Sequence, residues 1–236
     1  MGERPKVVVV GSYNTDLLVR TPRIPVRGET ILGSDYRTGP GGKGANQAVA
    51  AARLEAEVAM VVKLGTDDLG DRAERNLRDE GVATAYVRRT GDTHTGVAFI
   101  IVDAEGENVI VVAAGANETL STADVDAARE VIAGADVMLV QLEVPVATVS
   151  HALRLAHEAG VVTVLNPAPG QTLDAELLGS VDVLTPNETE LQLITGQSVT
   201  GLAEAETAAR GLLDVGVGTA VVTLGANGAL IVSRDG

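Results

Sequence analysis

At 236 residues, 45% of them hydrophobic, the chain is long enough for one large α/β domain with a sizeable core and requires no separate second domain. A formal charge of -14 and an aromatic content of 2% exclude a nucleic-acid groove, which needs a basic stripe and stacking platforms, but leave room for a local basic pocket that holds phosphate. The lack of cysteine excludes a disulfide framework and a thiolate metal site, and suits a reducing cytoplasm. The segment before Val7 is too short for a signal-peptide core or a membrane span, so no membrane partner is expected. Gly2 matches the start of a myristoylation signal, but Lys6 stands where that signal needs Ser or Thr.

In chain order, the β-branched run Val7–Val10 predicts a strand buried on both faces of a parallel sheet, followed by a loop carrying Asn14 and Asp16. Asn and Asp in a loop also serve as turn formers or helix caps. From Arg20 to Thr38, and again from Tyr86 to Ala113, short extended pieces such as Thr30-Ile31-Leu32 and Tyr36-Arg37 alternate with turns. These two zones are expected to pair as a small antiparallel sheet that projects from the main domain and covers a ligand. Between them stands Gly39-Pro40-Gly41-Gly42-Lys43-Gly44-Ala45-Asn46, followed by an Ala-rich helical run from Gln47 to Leu54. Its glycines permit close backbone approach, and Lys43 and Asn46 offer donors beside a helix N-terminus, a seat for hydroxyls or phosphate. A plain tight turn would use the same glycines.

Two other glycine motifs fail. A P-loop needs Ser or Thr after its Gly-Lys, and Lys43 is followed by Gly44. A dinucleotide fingerprint would open a helix straight after the first strand, where the chain reads Gly11-Ser12-Tyr13-Asn14-Thr15-Asp16.

Further on, periodicity predicts a strand over 58–64, a helix over 69–80 closed by Gly81, a helix over 121–132, a strand over 137–142 and a helix over 146–159 closed by Gly160. Then follow a strand over 161–165, a helix over 175–178, a strand over 181–185, helices over 188–194 and 202–215, and strands over 219–224 and 229–232. Such alternation predicts a doubly wound, mainly parallel sheet with right-handed crossovers. Polar groups recur just after these strands: Glu143, Asn166, Asn187 with Glu190, and the run Thr223 to Gly228. Each alone is ordinary loop chemistry; their succession on one sheet edge favours a site. His94, His151 and His157 have no metal-ligand spacing, and 151 and 157 do not share a helix face.

With these residues in view, the sequence resembles the ribokinase family of carbohydrate kinases. The motifs that carry the resemblance are Val-Gly-Ser-Tyr-Asn-Thr-Asp (10–16), Gly-Gly-Lys-Gly-Ala-Asn-Gln-Ala (41–48), Glu-Gly-Glu-Asn (105–108), Gly-Ala-Asn (115–117), Gln-Leu-Glu (141–143), Asn-Pro-Ala-Pro (166–169), Thr-Pro-Asn-Glu-Thr-Glu (185–190) and Thr-Leu-Gly (223–225). The resemblance implies a single α/β domain over residues 1–236, with lid segments at about 20–38 and 86–113 that also form a homodimer contact. It implies that Asn14, Asp16, Gly42, Asn46 and Glu143 bind sugar hydroxyls, with Lys43 beside them serving either sugar or phosphate. Asn187, Thr223, Gly225 and Gly228 would contact the nucleotide, and Glu190 would orient magnesium through water. The implied reaction moves the γ-phosphoryl group of ATP to the 5-hydroxyl of ribose; related members act on fructose, nucleosides or other sugars.

One family motif, Gly-Ala-Gly-Asp opening a helix, is absent, and with it the aspartate expected as general base and the potassium site. Both are expected beyond residue 236, in a C-terminal part that completes the domain. Asp235 precedes Gly236 and no helix, and is not taken as the catalyst. A chain without that motif would be a sugar-binding or regulatory module that does not transfer phosphate.

Overall fold

The computed structural model describes residues 4–234, so Gly2 and Asp235 lie outside the described residues. The chain opens with β1 (Lys6–Val10), β2 (Asn14–Arg20), β3 (Asp35–Gly41), α1 (Lys43–Arg53), β4 (Glu57–Gly65), α2 (Asp68–Asp79), β5 (Val87–Thr90), β6 (Val97–Val102) and β7 (Asn108–Ala113). It continues through α3 (Thr122–Asp126), α4 (Arg129–Ala133), β8 (Val137–Gln141), α5 (Val146–Glu158), β9 (Val162–Asn166), α6 (Ala175–Leu178) and β10 (Val183–Leu184). The last described elements are α7 (Glu188–Thr195), α8 (Leu202–Asp214), β11 (Thr219–Thr223) and β12 (Ala229–Ser233).

Eight strands form the main sheet in the order β12-β11-β10-β9-β8-β1-β4-β5, parallel throughout except for β12, which runs antiparallel to β11. Val8, Val9 and Val10 are fully buried because β1 lies at the centre with a core on each face. Val9 packs with Ala45, Ala48, Ala73 and Leu77 of α1 and α2, whereas Val8 and Val10 join Val149, Leu153, Ala205 and Ala209 of α5 and α8. After β1 the chain adds β4 and β5 on one side; β8 then returns to the other side of β1 and β9 to β11 build outward from it. The strand order therefore reverses between β1 and β8, the place where open α/β sheets bind ligands.

The second sheet has the order β3-β2-β6-β7. It is antiparallel except for its central pair, β2 with β6, which is parallel. Asn14 and Asp16 belong to this sheet: they sit in β2 rather than in a loop, because pairing to β3 and β6 on both sides outweighs the turn preference of Asn and Asp. Thr30-Ile31-Leu32 forms no strand; the strand of that zone is β3, which runs to Gly41. The segment Val87–Thr90 pairs parallel to β4 at the edge of the main sheet rather than in the lid. Helix α1 starts at Lys43, earlier than the Ala-rich run suggests, and the helix expected over 121–132 is broken into α3 and α4 around Ala127 and Ala128. Strand β10 is reduced to two residues.

Helix α1 sits unusually close to the end of β1. A Cβ on Gly44 would lie 2.6 Å from Ser12 N and 2.8 Å from Gly11 C. In an open helix Gly→Ala gains about 1 kcal/mol. Here the overlap is with backbone, which cannot yield, so Gly44→Ala is expected to lower unfolding free energy by about 1–3 kcal/mol in urea titrations. A neutral or stabilising result would show that the two segments are not in contact.

Candidate active site

The site grows from that contact. Gly42 takes φ 90°, a conformation L side chains rarely adopt, and a Cβ there would lie 2.7 Å from Asn14 N. It thereby turns β3 into α1 and lays the first turn of the helix against residues 12–14. Glu143, just past β8, reaches across the switch point: its Oε2 accepts from Ser12 Oγ at 2.5 Å and from Lys43 N at 2.9 Å. Ser12 Oγ in turn accepts from Gly44 N at 3.3 Å. A carboxylate over a helix N-terminus is favoured by the unpaired N–H groups and the macrodipole. Both bonds fall on Oε2, leaving Oε1 for a ligand.

From the lid side, Asn14 and Asp16 stand two apart on one face of β2. Asn14 is almost fully buried, and Asn117 Nδ2 donates to its Oδ1 at 2.9 Å. Asp16 lies over Gly41, where any Cβ would overlap its carboxylate. Burial first, and the nearby Glu143 charge second, push the Asp16 carboxyl above its ordinary value. The Tyr13 phenol is pushed up to about 12, mainly by burial and secondarily by Asp16. The site thus collects acceptors, with uncommitted carboxylate oxygens converging from β2 and from the end of β8. Such a surface accepts from several hydroxyl groups at once.

Lys43 is half-buried and its ammonium forms no ion pair among the described residues. Asn46 is exposed and lines, with Pro40, Val49, Arg53, Asn76 and Glu80, a pocket of about 360 Å³ beside α1; no hydrogen bond ties it to Asn14, Asp16 or Glu143. On the face of the lid that carries Asp16, the register also places Ala98 and Val112 beside it, with Ile100 and Ile110 one pair further along. These apolar residues, together with Ser12 and Asn117, were given no role by the sequence. Ser12 and Asn117 stand inside motifs quoted above, Ser-Tyr-Asn-Thr-Asp and Gly-Ala-Asn, which is the signal that could have found them.

The second half of the crevice lies at the ends of β10 and β11. Asn187 caps α7: Glu190 N donates to its Oδ1 at 2.8 Å and Asn187 N donates to Glu190 Oε2 at 2.9 Å, a reciprocal capping box. Asn187 and Thr223 form a parallel bridge, with Thr223 N donating to Pro186 O at 2.9 Å. Gly225 and Gly228 then take φ 55° and 88° in an exposed turn closed by Leu224 N to Gly228 O. β11 stands three strand spacings from β8, about 14 Å. Among the described residues no cluster of three or more His, Cys, Asp or Glu could hold a metal ion. Glu190 has one oxygen committed and one uncommitted, which fits magnesium, a cation that keeps most of its waters and takes further ligands from phosphates.

A mainly parallel eight-stranded sheet with a second, four-stranded sheet beside its switch point is the architecture these elements build. The family model described as pfkB family carbohydrate kinase matches residues 4–236, and the chain belongs to that family. It is 43% identical over 233 residues to the ribokinase of Haemophilus influenzae, covering 99% of this chain and 76% of that protein. It is 41% identical over 230 residues to the deoxyribokinase of Salmonella typhi, covering 97% and 75%. The solved structure of Arabidopsis thaliana ribokinase complexed with ribose and ATP superposes with a TM-score of 0.89 at 33% identity, covering 99% of this chain and 76% of that one. The chain thus spans about three quarters of the length of these relatives.

The raised Asp16 carboxyl has a consequence for stability. Because the folded state favours its protonated form, the Asp16 contribution is greatest at a pH below the unfolded value and is lost as pH rises through the folded value. Asp16→Asn is therefore expected to raise the unfolding midpoint of the ligand-free protein at neutral pH, with the gain vanishing at a pH below the ordinary carboxylate range. Urea titrations at the two pH values measure this, and a destabilised variant at neutral pH would contradict it.

Proposed function

We propose that this protein is an ATP-dependent kinase that transfers the γ-phosphoryl group to the 5-hydroxyl of D-ribose, giving ribose 5-phosphate, in the cytoplasm. The observation that carries this reading is the convergence of Asn14, Asp16 and Glu143 at the switch point, one strand group away from the capped loop of Asn187 and the turn after β11. Asn14, Asp16 and the free oxygen of Glu143 bind and orient the sugar; Gly42 supplies the close approach of helix α1, and Lys43 stands beside it with an ammonium unpaired among the described residues. Asn46 serves the same sugar from the first turn of α1. Asn187, Thr223, Gly225 and Gly228 hold the nucleotide, and Glu190 holds magnesium through water; when bound, the ion neutralises phosphate charge. The remaining task of these residues is alignment, since phosphoryl transfer asks for positioning and charge stabilisation more than covalent chemistry. The lid, presenting Ala98, Ile100 and Ile110 over the sugar half, keeps water from the transferring phosphate.

Phosphorylation rates with D-ribose, 2-deoxyribose, fructose and adenosine test the substrate. A kcat/KM highest for ribose is expected, and a preference for any of the other three overturns the choice. Asp16→Ala is expected to lower kcat/KM for ribose by about tenfold to a hundredfold, the worth of a charged hydrogen bond.

The lid supports a second part of the proposal, a homodimer. Its other face carries Leu17, Phe99 and Val111 in one register row and Val19, Ile101 and Val109 in the next, with Phe99 50% and Val111 61% exposed. A second copy of the same lid buries this apolar surface, which single chains rarely leave open. Phe99→Glu is expected to shift sedimentation from dimer to monomer; a dimer unchanged by that charge would rule out this face.

A further inference from the structure

Asn117, in the turn that follows β7, is a buried amide whose orientation is forced by the backbone. Its Oδ1 accepts from Tyr13 N at 3.0 Å and its Nδ2 donates to Tyr13 O at 3.0 Å. An N–H can be met only by the oxygen and a C=O only by the nitrogen, so the amide cannot be reversed. The same Nδ2 donates its second hydrogen to Asn14 Oδ1 at 2.9 Å. That settles the neighbouring amide too: the oxygen of Asn14 is held against Asn117, and its Nδ2 is left to face the other way. Among the described residues the one enclosed side-chain polar atom without a partner is Gln141 Oε1. The Asn14 amide nitrogen, which donates to no group among the described residues, therefore borders open space beside Asp16. Room for the pair depends on Gly96, because any side chain there would overlap both Asn14 Oδ1 and Asn117 Nδ2.

We infer that Asn117 is a positioning residue that fixes Asn14 as a hydrogen-bond donor towards the sugar, so that the face of β2 presents a donor at 14 and an acceptor at 16. The inference rests on the sugar-binding reading above. A hydroxyl group can accept from Asn14 while a neighbouring one donates to Asp16, so the pair reads two hydroxyls held at a set spacing. Without Asn117 the amide of Asn14 is free to reverse and set its oxygen beside the Asp16 carboxylate. Two acceptors would then face the hydroxyls, and a hydroxyl whose one hydrogen is given elsewhere would no longer find a donor at Asn14.

The substitution Asn117→Asp tests this with little change of shape. Its carboxylate still accepts from Tyr13 N but can no longer donate to Tyr13 O or to Asn14, whose amide relieves the contact by turning its Nδ2 inward. Calorimetric titration of D-ribose into the wild-type protein, Asn117→Asp, Asn14→Ala and the double variant forms a cycle. Asn117→Asp is expected to weaken ribose binding at least tenfold, to leave the affinity for ATP unchanged, and to change ribose affinity less than twofold when Asn14 is already Ala. Equal weakening in both backgrounds, or ribose affinity within twofold of wild type, overturns the inference. Should Asn117→Asp fail to fold, Asn14→Asp tests the donor at position 14: it keeps the bond from Asn117, turns the outward atom from donor to acceptor and adds a carboxylate beside Asp16. Ribose affinity retained in that variant overturns the inference, and a loss of tenfold or more supports it. A wild-type protein that does not bind ribose contradicts both the substrate reading and this inference, whereas ribose binding that is indifferent to Asn117→Asp contradicts this inference alone.

Discussion

The seating of the first turn of α1 on the end of β1 is the constraint from which the rest of the site follows. Gly44 lets the two backbones touch, Gly42 makes the turn that leads into them, and Ser12 N and O have no room for any larger residue opposite. Once the helix N-terminus is held there, its exposed N–H groups call for an acceptor, and Glu143 supplies one from across the switch point at 2.9 Å from Lys43 N. One short bond network thus joins three segments far apart in sequence: the end of β1, the start of α1 and the end of β8. It sits where the strand order reverses, the place where open α/β sheets bind ligands.

Electrostatics then separates the two halves of that crevice. The sugar half is rich in carboxylate oxygen, and the protein tolerates the cost of placing Asp16 near Glu143 in partly buried surroundings, as the raised Asp16 carboxyl records. Hydroxyl groups are what such a surface lacks, since they donate without bringing charge. The proposed nucleotide half presents instead a glycine turn after β11, beside an α7 N-terminus whose Asn187 and Glu190 N–H groups are taken up in the capping box. On the proposed reading, a chain of net charge -14 would bind phosphate through backbone N–H groups and local geometry rather than through a general positive field.

Much of this was legible in the sequence, for reasons that can be named. A β-branched run such as Val7–Val10, bounded by turn residues, points to a strand buried in a parallel sheet, and helices closed by Gly81 and Gly160 end where glycine at positive φ permits. The polar residues after each strand converge because parallel strands share one carboxyl edge. What was not legible depends on pairing between distant segments. Asn14 and Asp16 look like turn residues until β3 and β6 are placed on either side of them, and Val87–Thr90 looks like lid until β4 is seen to claim it. Nor does any local pattern reveal that Asn117 meets Tyr13 and Asn14, more than a hundred positions away, or that Ser12 meets Glu143. The break between α3 and α4 lies in an unbroken apolar periodicity and has no local sequence signal.

The central claim is that one crevice, running along the carboxyl edge from the β1–β8 switch point to the end of β11, seats sugar at one end and nucleotide at the other. A crystal structure of the protein with D-ribose and a non-hydrolysable ATP analogue tests it most directly. The account predicts ribose between Asn14, Asp16 and Glu143 under the lid, with the terminal phosphate of the analogue reaching towards it from Asn187 and Thr223. Ribose found instead in the pocket between Arg53, Asn76 and Glu80, or nucleotide bound away from the ends of β10 and β11, would contradict it.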